Sequence, residues 1–303
     1  MHMQQISIII VNWNTGGLLI KCLESIVALS EQDLIRHVVI VDNASTDDSV
    51  LQTQEIAQEH GYAIIRAKHN LGFAKANNLA WKFIKEHEGN DDHILLLNPD
   101  TEVRPGALKS LVEVFEKNKT VGIVGPKLLE TTGKVQKSVR TFPTFVVFII
   151  LFLKLQRLFP GLSIWERYMM TNFDYLKEQQ VDQVMGAAFL IRNEVLKQIG
   201  LLDESFWIWF EEVDFCKRAK QSGWSTLYTP SAVVTHHGGT SFGQVAGFTK
   251  TRLFTQSSIL YTKKHLGITA YITLLAFYPI GLLIAIIASF EHIKQRKYNI
   301  SCL

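Results

Sequence analysis

The sequence predicts an α/β protein built on a doubly wound, mostly parallel sheet. Short runs of β-branched and other apolar residues recur along its first half, as expected for strands that are buried on both faces of a sheet. Segments with a helical pattern of apolar residues lie between these runs. Strands that alternate with helices are typical of right-handed βαβ units, and this alternation determines the predicted fold class.

The first predicted strand is Ile6–Val11, a mostly β-branched run that ends at the polar stretch starting with Asn12. Ser45 or Thr46 is expected to cap a helix that follows the second strand. The further strands are predicted at His37–Val41, Tyr62–Arg66, His93–Leu97, Val121–Val124, Val184–Ile191, Thr226–Tyr228 and Ala232–Thr235. Helices are predicted up to Ile26, from the Asn70 region to about Glu86, from Pro105 to about Asn118, at Asn193–Ile199 and from Glu211 to about Gln221.

Two long apolar segments raise the question of a membrane. Phe142–Leu153 is too short to span a bilayer, so we expect an interfacial or core helix. Leu266–Phe290 contains no charged residue and is long enough to span one. Basic residues flank it on both sides, which favours a shallow hairpin bent near Pro279 with both ends in the cytoplasm; a pair of soluble core helices is the alternative. The chain is therefore divided into a main domain at residues 1–250 and a helical, membrane-associating region at residues 251–303.

Composition excludes several classes of protein. The formal net charge of +3 is too small to indicate nucleic-acid binding. The three cysteines lie far apart and have no CxxC spacing, so neither a disulfide framework nor a structural zinc site is expected. The first strand follows the initial residues without a basic segment or a cleavage site, so we expect no signal peptide and a cytoplasmic main domain.

The common phosphate-binding loops are absent from the sequence. No GxGxxG follows the first strand, and no GxxxxGK[ST] occurs anywhere. Ligands of open α/β sheets bind at the carboxyl ends of the strands. If this sheet binds a nucleotide, other residues at the strand ends must hold it.

Acidic residues end two of the predicted strands, at Asp42 and at Asp100 in Asn98-Pro99-Asp100. A carboxylate accepts hydrogen bonds from a base imide or a ribose hydroxyl, or it binds a divalent cation that phosphate groups share. Asp42 suits the first role and Asp100 the second. For both, the alternative is an ordinary turn residue that caps the next helix.

Three carboxylates lie within four residues in Glu211-Glu212-Val213-Asp214, directly after an aromatic run. Mutual repulsion and apolar surroundings both raise the pKa of a carboxyl group, which makes it a competent general base near neutral pH. The alternative is a helix N-terminus enriched in acids. Trp207 and Trp209 of the aromatic run are either sugar-stacking surfaces or core residues.

A pair of histidines, His236 and His237, follows the last predicted strand and precedes two glycines. A histidine at a strand end can complete a metal site that a distant aspartate begins. The sequence leaves open which of the two points inward, and a structural role is the alternative for either. No HExxH occurs, so a zinc protease is not indicated.

These clusters together resemble the inverting family-two glycosyltransferases with the GT-A fold, and more closely their rhamnosyltransferase-like branch. The resemblance covers about residues 5–265, and it depends on six motifs in the same order. The motifs are Val11-Asn12-Trp13-Asn14, Val41-Asp42-Asn43-Ala44-Ser45-Thr46-Asp47, Asn70-Leu71-Gly72-Phe73-Ala74-Lys75-Ala76-Asn77-Asn78, Leu97-Asn98-Pro99-Asp100-Thr101, Phe210-Glu211-Glu212-Val213-Asp214 and His236-His237-Gly238-Gly239-Thr240-Ser241.

The resemblance implies a role for each candidate residue. Glu212 occupies the position of the family's catalytic base, which is usually an aspartate, and Glu211 is the rival base. Asp100 and His236 would hold Mg²⁺ or Mn²⁺, although Asn98 stands where many relatives have a second acid. The implied donor-sugar-binding residues are Asn12, Asp42, Asn70, Gly72, Asn77 and Asn98. The implied acceptor residues are Trp207, Trp209 and Asp214.

The resemblance also implies an activity. The enzyme would transfer a sugar, rhamnose by analogy, with inversion from a dTDP- or UDP-sugar to a hydroxyl of a glycan or lipid-linked glycan. This reaction would serve cell-surface polysaccharide assembly at the cytoplasmic face of the cell membrane, without a nucleic-acid partner. One alternative is a catalytically idle GT-A-like module that binds a nucleotide-sugar or glycan. A nucleotidyltransferase ranks last because Asn12–Gly17 contains no basic residue.

Overall fold

The computed structural model describes residues 4–87, 92–238, 245, 247–281 and 283. Their main feature is a nine-stranded sheet with the order β3-β2-β1-β4-β10-β6-β11-β5, in which β8 pairs with β11. The strands are β1 (Ile6–Asn12), β2 (Ile35–Asp42), β3 (Ala63–Arg66), β4 (His93–Leu97), β5 (Thr101–Val103), β6 (Val121–Leu129), β7 (Val139–Arg140), β8 (Gln179–Val181), β9 (Gln183–Val184), β10 (Ala188–Ile191) and β11 (Ser225–His236).

The prediction of a mostly parallel α/β sheet is confirmed. β1 pairs in parallel with β2 and β4, β2 with β3, and β6 with β11. β10 runs antiparallel between β4 and β6, so the strands on its two sides point the same way. The helices are α1 (Leu18–Val27), α2 (Gln54–Glu59), α3 (Phe73–His87), α4 (Ala107–Lys117), α5 (Phe145–Phe152), α6 (Leu155–Leu158), α7 (Ser163–Met169), α8 (Asn193–Ile199), α9 (Glu211–Gln221) and α10 (Gly247–His265).

The two faces of the sheet are covered by different helices, which explains why its central strands are apolar throughout. On one face, Ile8 and Ile10 of β1 pack with α1 and α4. On the other face, Ile9 of β1 packs with α3, α8 and α9. Successive residues of a strand point to opposite faces, so every residue of β1 is buried.

The apolar segment Phe142–Leu153 contains the helix α5, which buries Val147, Phe148, Ile150 and Phe152 and leaves Val146 exposed. Phe148 of α5 packs with Phe210 and with Tyr261 of α10 in a third apolar cluster. Residues 268–281 are also helical, and the position of Gly281 against Phe152 brings this stretch to the end of α5. No helix within the described ranges has both the length and the apolar character needed to cross a bilayer. Part of the predicted hairpin, residue 282 and residues 284–290, lies outside the described residues.

Three predictions about single elements are wrong. No helix follows Ser45 directly, because its hydroxyl accepts hydrogen bonds from Asn12 Nδ2 and Asn14 N, and α2 begins only at Gln54. The predicted strand Val184–Ile191 is interrupted at residues 185–187 and forms β9 and β10.

The third wrong prediction concerns the last strands. The two short strands predicted at Thr226–Tyr228 and Ala232–Thr235 are a single strand, β11, with a register shift between Thr229 and Val233. β11 pairs antiparallel with β5, which the sequence did not predict, and His236 lies opposite Thr101. This pairing brings the end of β11 next to Asp100.

Candidate active site

An open cavity of about 280 Å³ lies at the carboxyl edge of the sheet, where the fold class predicts ligand binding. Nine of the predicted site residues line it, which brings residues from four separate stretches of chain together. These nine are Asn70, Gly72, Asn98, Asp100, Trp207, Trp209, Glu211, Glu212 and His236.

Asp100 and His236 form a buried pair in one wall of the cavity. Asp100 Oδ1 and His236 Nε2 lie 3.4 Å apart, and both side chains are more than nine-tenths buried. The other ring nitrogen, His236 Nδ1, lies 2.8 Å from Gln136 Oε1, an oxygen that can only accept. Nδ1 therefore carries the proton when the ring is neutral, and the lone pair of Nε2 is directed to the side of Asp100.

The second histidine, His237, belongs to a different contact. Its Nε2 atom lies 2.6 Å from Glu102 Oε1, and it does not line the cavity. Its backbone N–H donates to the carbonyl oxygen of Asp100, which helps to fix the Asp100 backbone. Between the two histidines that the sequence left open, only His236 faces the cavity.

Glu211 and Glu212 lie in another part of the cavity wall, in the first turn of α9. Each has a buried Oε2 atom that finds no hydrogen-bond partner among the described residues. Burial raises the pKa of Glu211 well above its usual value, and the adjacent Glu212 carboxylate adds to the increase. Burial also raises the pKa of Glu212. Two neighbouring buried carboxyl groups of this kind suit proton transfer near neutral pH.

The loop before α9 has an unusual backbone. Trp209 and Phe210 both adopt positive φ angles, 62° and 69°, which non-glycine residues rarely do. Such conformations persist only where the surroundings hold them, and they occur often at functional sites. Here they turn the chain so that the indole of Trp209 and the carboxyl group of Glu211 line the same cavity.

Gly72 is required for the close approach of two loops. Its φ is +79°, and a Cβ atom there would lie 2.4 Å from the carbonyl oxygen of Trp207. The adjacent N–H of Phe73 donates to that same oxygen at 2.7 Å. Any side chain at position 72 would therefore push Trp207 out of the cavity wall.

Asn43 holds the Asn70–Gly72 loop against the sheet. Its Nδ2 atom donates to Asn70 Oδ1 at 3.0 Å, and its Oδ1 atom accepts from the N–H of Leu71 at 2.7 Å. Asn43 is buried and also lines the cavity. These bonds fix the position at which Asn70 meets a ligand.

Three predicted donor-sugar-binding residues do not line the cavity. Asn12 is fully buried, and its amide makes hydrogen bonds with Ser45, Ser49 and Thr15, which hold the loop in place. Asn77 is buried in α3 and donates to the carbonyl oxygen of Phe73. Asp42 lies in register with Asn12 at the same edge of the sheet and is half-buried, and its Oδ1 atom accepts from the N–H of Ser45.

Asp214, predicted tentatively as an acceptor residue, is fully buried and also lies away from the cavity. Its Oδ2 atom accepts from Arg218 Nε at 2.8 Å, and its Oδ1 atom lies 2.7 Å from both Lys264 Nζ and His265 Nε2. Burial alone would raise its pKa, but the hydrogen bonds from these basic groups lower it. Asp214 therefore joins α9 to α10.

Several residues of the site were not predicted. Trp13 and Asn43 line the cavity next to residues that the sequence singled out, so their motifs contained the signal. Met185 and Gly186 line it from the interruption between β9 and β10, which no sequence pattern indicated. Gln136 orients His236 from a distant turn, and nothing in the sequence links the two residues.

The donor atoms at Asp100 and His236 fit a divalent cation that is shared with a substrate. Two ligands at about 2.1 Å from an octahedral ion lie about 3 Å apart, close to the observed separation of Asp100 Oδ1 and His236 Nε2. Among the described residues, no group of three His, Cys, Asp or Glu side chains is arranged to hold a metal ion. The remaining ligands would have to be phosphate oxygens and water, as is usual for Mg²⁺.

Residues 4–251 of the sequence match the family model described as glycosyltransferase like family 2. The chain belongs to this family. The predicted family is thus confirmed, and the cavity is the candidate active site of a family 2 glycosyltransferase.

Two relatives of this glycosyltransferase bear the name of rhamnosyltransferases. The N-acetylglucosaminyl-diphospho-decaprenol L-rhamnosyltransferase of Mycobacterium tuberculosis is 26% identical over 78% of this chain and 77% of its own length. The rhamnosyltransferase WbbL of Escherichia coli is 27% identical over 76% of this chain and 82% of its own length. The predicted similarity to rhamnosyltransferases is therefore confirmed.

The fold of this glycosyltransferase is also found in solved structures. A mannosyltransferase from Pyrobaculum calidifontis, solved in complex with GDP-Man and Mn²⁺, matches with a TM-score of 0.57 at 14% identity. The match covers 97% of this chain and 76% of the mannosyltransferase. At this identity the comparison establishes the fold alone, and it confirms the predicted GT-A architecture.

Proposed function

We propose that this enzyme transfers a sugar, with inversion, from a nucleoside diphosphate sugar to a hydroxyl of a lipid-linked glycan. The observation that supports this proposal most directly is that one cavity contains two different sets of functional groups. The Asp100–His236 pair suits the diphosphate side of a donor sugar, and Glu211 and Glu212 suit a proton acceptor. Asn70 and Trp207 line the space between the loops that would surround the donor sugar.

In the proposed mechanism, Glu212 is the general base. It takes the proton of the acceptor hydroxyl while that oxygen attacks the anomeric carbon from the face opposite the diphosphate, which gives inversion. Asp100 and His236 would hold Mg²⁺ or Mn²⁺ at the diphosphate, and a bound divalent ion supplies stabilisation of the negative charge on the leaving group. The raised pKa of Glu212 makes its carboxylate a stronger proton acceptor.

For the substrates, we propose a dTDP- or UDP-sugar donor, with rhamnose as the sugar, and an acceptor glycan linked through diphosphate to a polyprenol. The names of the two rhamnosyltransferases support the sugar. The name of the mycobacterial relative supports an acceptor of the N-acetylglucosaminyl-diphospho-polyprenol class. The reaction would belong to the assembly of cell-surface polysaccharide.

We further propose that the enzyme works at the cytoplasmic face of the cell membrane. Leu158 and Phe159 are exposed at the end of α6, and the basic residues Lys154 and Arg157 lie beside them in sequence. The helical stretch 268–281 exposes further apolar side chains, among them Ile272. Apolar side chains with basic neighbours favour binding to an anionic lipid surface.

The proposed base is tested by comparing Glu212→Gln with Glu211→Gln. A general base contributes about 10²–10⁴-fold, so Glu212→Gln should lower the turnover number by about this factor. Glu211→Gln is the matched control, and it should lower turnover by less than about tenfold. Both rates are measured as transfer of sugar to a diphosphate-linked acceptor with Mn²⁺ present. Unchanged turnover in Glu212→Gln, with a large loss in Glu211→Gln, would make Glu211 the base.

A catalytically idle binding module is the second candidate, because the neutral Asn98 stands where many relatives have an acid. An idle module binds the donor sugar but never breaks its bond to diphosphate. An active transferase also transfers the sugar slowly to water. Release of nucleoside diphosphate by the purified protein without acceptor therefore separates the two candidates.

A further inference from the structure

A second, smaller cavity of about 150 Å³ lies on the other side of Glu212. Glu212, Met185 and Trp209 line both this cavity and the larger one, so they form the boundary between the two. The larger cavity has nearly twice the volume and contains the Asp100–His236 pair. The Asp100–His236 pair makes the larger cavity the candidate site for the diphosphate of the donor sugar, and the smaller cavity is the candidate site for a second group that must reach the carboxylate of Glu212.

Two buried polar atoms in this region have no hydrogen-bond partner within the described parts of the chain. Ser138 is 4% exposed and lines the small cavity, and its Oγ atom has no partner among the described residues. The Oε2 atom of Glu212 is in the same situation. Buried polar groups are nearly always hydrogen-bonded, and leaving one unpaired costs stability. Two such atoms at one cavity indicate that a ligand with several hydroxyl groups supplies their hydrogen bonds.

Arg140 gives the small cavity a positive charge. Its Nη1 atom donates to the carbonyl oxygens of Lys137 and Val139, which fixes the guanidinium group in place. No carboxylate lies within ion-pairing distance of it in the part of the chain that the structure describes. A guanidinium group held by backbone oxygens and without an acidic partner is ready to bind an anion.

Tyr168 lies close to both charged groups of this cavity. Burial raises the pKa of its hydroxyl to about 12, the positive charge of Arg140 opposes this increase and the negative charge of Glu212 adds to it. The hydroxyl therefore stays protonated and can donate a hydrogen bond. The small cavity thus contains a hydroxyl donor, an unpaired serine, a guanidinium group and the proposed base.

We propose that the small cavity is the acceptor subsite and that Arg140 selects acceptors with a phosphate or diphosphate group next to the reactive sugar. The inference rests on the proposed function. The acceptor hydroxyl gives its proton to Glu212, and its oxygen forms a bond to the anomeric carbon of the donor sugar. The bond from that carbon to the diphosphate breaks, and the nucleoside diphosphate leaves with the bonding electrons. Ser138 and Tyr168 bind hydroxyl groups of the acceptor.

The test compares two probes that share one sugar. One is N-acetylglucosamine linked through diphosphate to citronellol, and the other is neutral octyl N-acetylglucosaminide. Titration calorimetry measures their binding to the full chain in the presence of UDP and Mn²⁺. We expect the charged probe to bind wild-type enzyme about tenfold or more tightly than the neutral one, as is usual for charge-assisted hydrogen bonds. Arg140→Met should abolish this preference, and Arg140→Lys should restore part of it.

Arg157→Met is the matched control, because Arg157 is exposed on α6 and does not line the small cavity. It should keep the full preference for the charged probe. A second readout is slow hydrolysis of the donor sugar in the absence of acceptor, which reports whether the donor site of each protein is intact. Equal binding of the two probes to wild type, or a preference that survives Arg140→Met, with hydrolysis intact, overturns the acceptor subsite but leaves the proposed function. If wild-type enzyme does not hydrolyse the donor sugar at all, both the acceptor subsite and the proposed function are overturned.

Ser138→Ala separates a ligand-binding role from a structural one. The serine hydroxyl makes no hydrogen bond to any residue that the structure describes, so its removal should leave the melting temperature unchanged or raise it. At the same time, the affinity for both probes should fall by about threefold or more, because one hydrogen bond to the acceptor sugar is lost. A lower melting temperature together with unchanged affinity would contradict the assignment of Ser138.

Discussion

At the scale of single residues, the buried carboxyl group of Glu211 affects both the candidate active site and the stability of the folded protein. It is 5% exposed, its Oε2 atom has no partner in the described structure, and burial raises its pKa. Keeping such a group in a folded protein costs free energy once it ionises. The cost is tolerated at functional sites, where a shifted pKa is useful.

We therefore predict that Glu211→Gln changes how stability depends on pH. The folded pKa lies above the unfolded value of about 4.3, so the native state binds the proton more tightly. The stability that results is fully present below the unfolded pKa and is lost as the pH rises through the folded pKa. As the pH rises from about 5 to about 8, the free energy of unfolding of the variant should therefore increase relative to that of wild type.

Urea denaturation of both proteins at the two pH values measures this effect. Glu86→Gln is the control, since Glu86 is exposed at the end of α3 and only a surface charge is lost there. If Glu211→Gln shows the same difference from wild type at both pH values, Glu211 does not titrate in this range.

Side-chain chemistry predicted which residue types meet at the cavity, but it did not predict which of them are already occupied. Asp100, Glu212 and His236 were predicted because they are polar side chains at strand and helix ends and belong to the motifs of the family resemblance; all three line the cavity. Asn12 was predicted for the same reason, yet its amide is fully used by neighbouring hydroxyl groups. Gln136 was missed because a glutamine in a turn is ordinary until its histidine partner is known.

At the scale of elements, α10 holds α9 and the aromatic loop before it in place. Ser257 Oγ donates to the carbonyl oxygen of Ile208 at 2.7 Å, between the two tryptophans of the cavity. Lys264 and His265 bind Asp214, which lies one turn after Glu211. The family model ends at residue 251, so most of α10 follows it. The active site of this chain therefore depends on a helix beyond the matched residues.

We predict that Asp214→Ala lowers the free energy of unfolding by about 3–5 kcal/mol, because it leaves buried cationic groups without their partner. Urea denaturation at neutral pH measures the loss. Glu113→Ala, which breaks the exposed pair with Lys117 on α4, should cost only about 0.5 kcal/mol. A cost for Asp214→Ala as small as that of the control would mean that α10 is not held through this residue.

The sequence predicted the elements whose bounds depend on a local residue pattern, and it missed the strand that depends on pairing with a distant strand. β4 and α8 have the predicted bounds, because apolar runs and a terminal glycine mark them in the sequence. β5 is three residues long and exists only through its pairing with the end of β11. No local pattern encodes such a partner, although this pairing is what brings Asp100 to His236.

At the scale of the whole molecule, both α6 and the helical stretch 268–281 carry exposed apolar side chains, and the end of this stretch meets the end of α5. α6 directly follows α5. Gly281 lies so close to the end of α5 that a Cβ atom built on it would be 3.6 Å from the carbonyl oxygen of Phe152. Leu158 and Phe159 are both more than half exposed. The residues of this surface suit contact with a lipid bilayer.

We predict that the purified chain sediments with vesicles of anionic phospholipid. The double variant Leu158→Ser, Phe159→Ser should weaken this binding by about tenfold or more, because two large apolar side chains no longer enter the lipid. Leu51→Ser is the control, since Leu51 is equally exposed but lies in the turn before α2. Sedimentation that is absent for wild type, or unchanged in the double variant, would contradict docking through α6.

We propose above all that the large cavity binds a nucleoside diphosphate sugar through an ion held by Asp100. The most direct measurement is the melting temperature with a panel of dTDP- and UDP-sugars, with and without Mn²⁺. A ligand at about one hundred times its Kd adds about 2.7 kcal/mol to the native state, enough for a shift of several degrees. We expect at least one sugar nucleotide to raise the melting temperature of wild type and of Glu102→Ala only when Mn²⁺ is present, and not to raise that of Asp100→Ala. No shift with any member of the panel, or the same shift in Asp100→Ala, would contradict the claim.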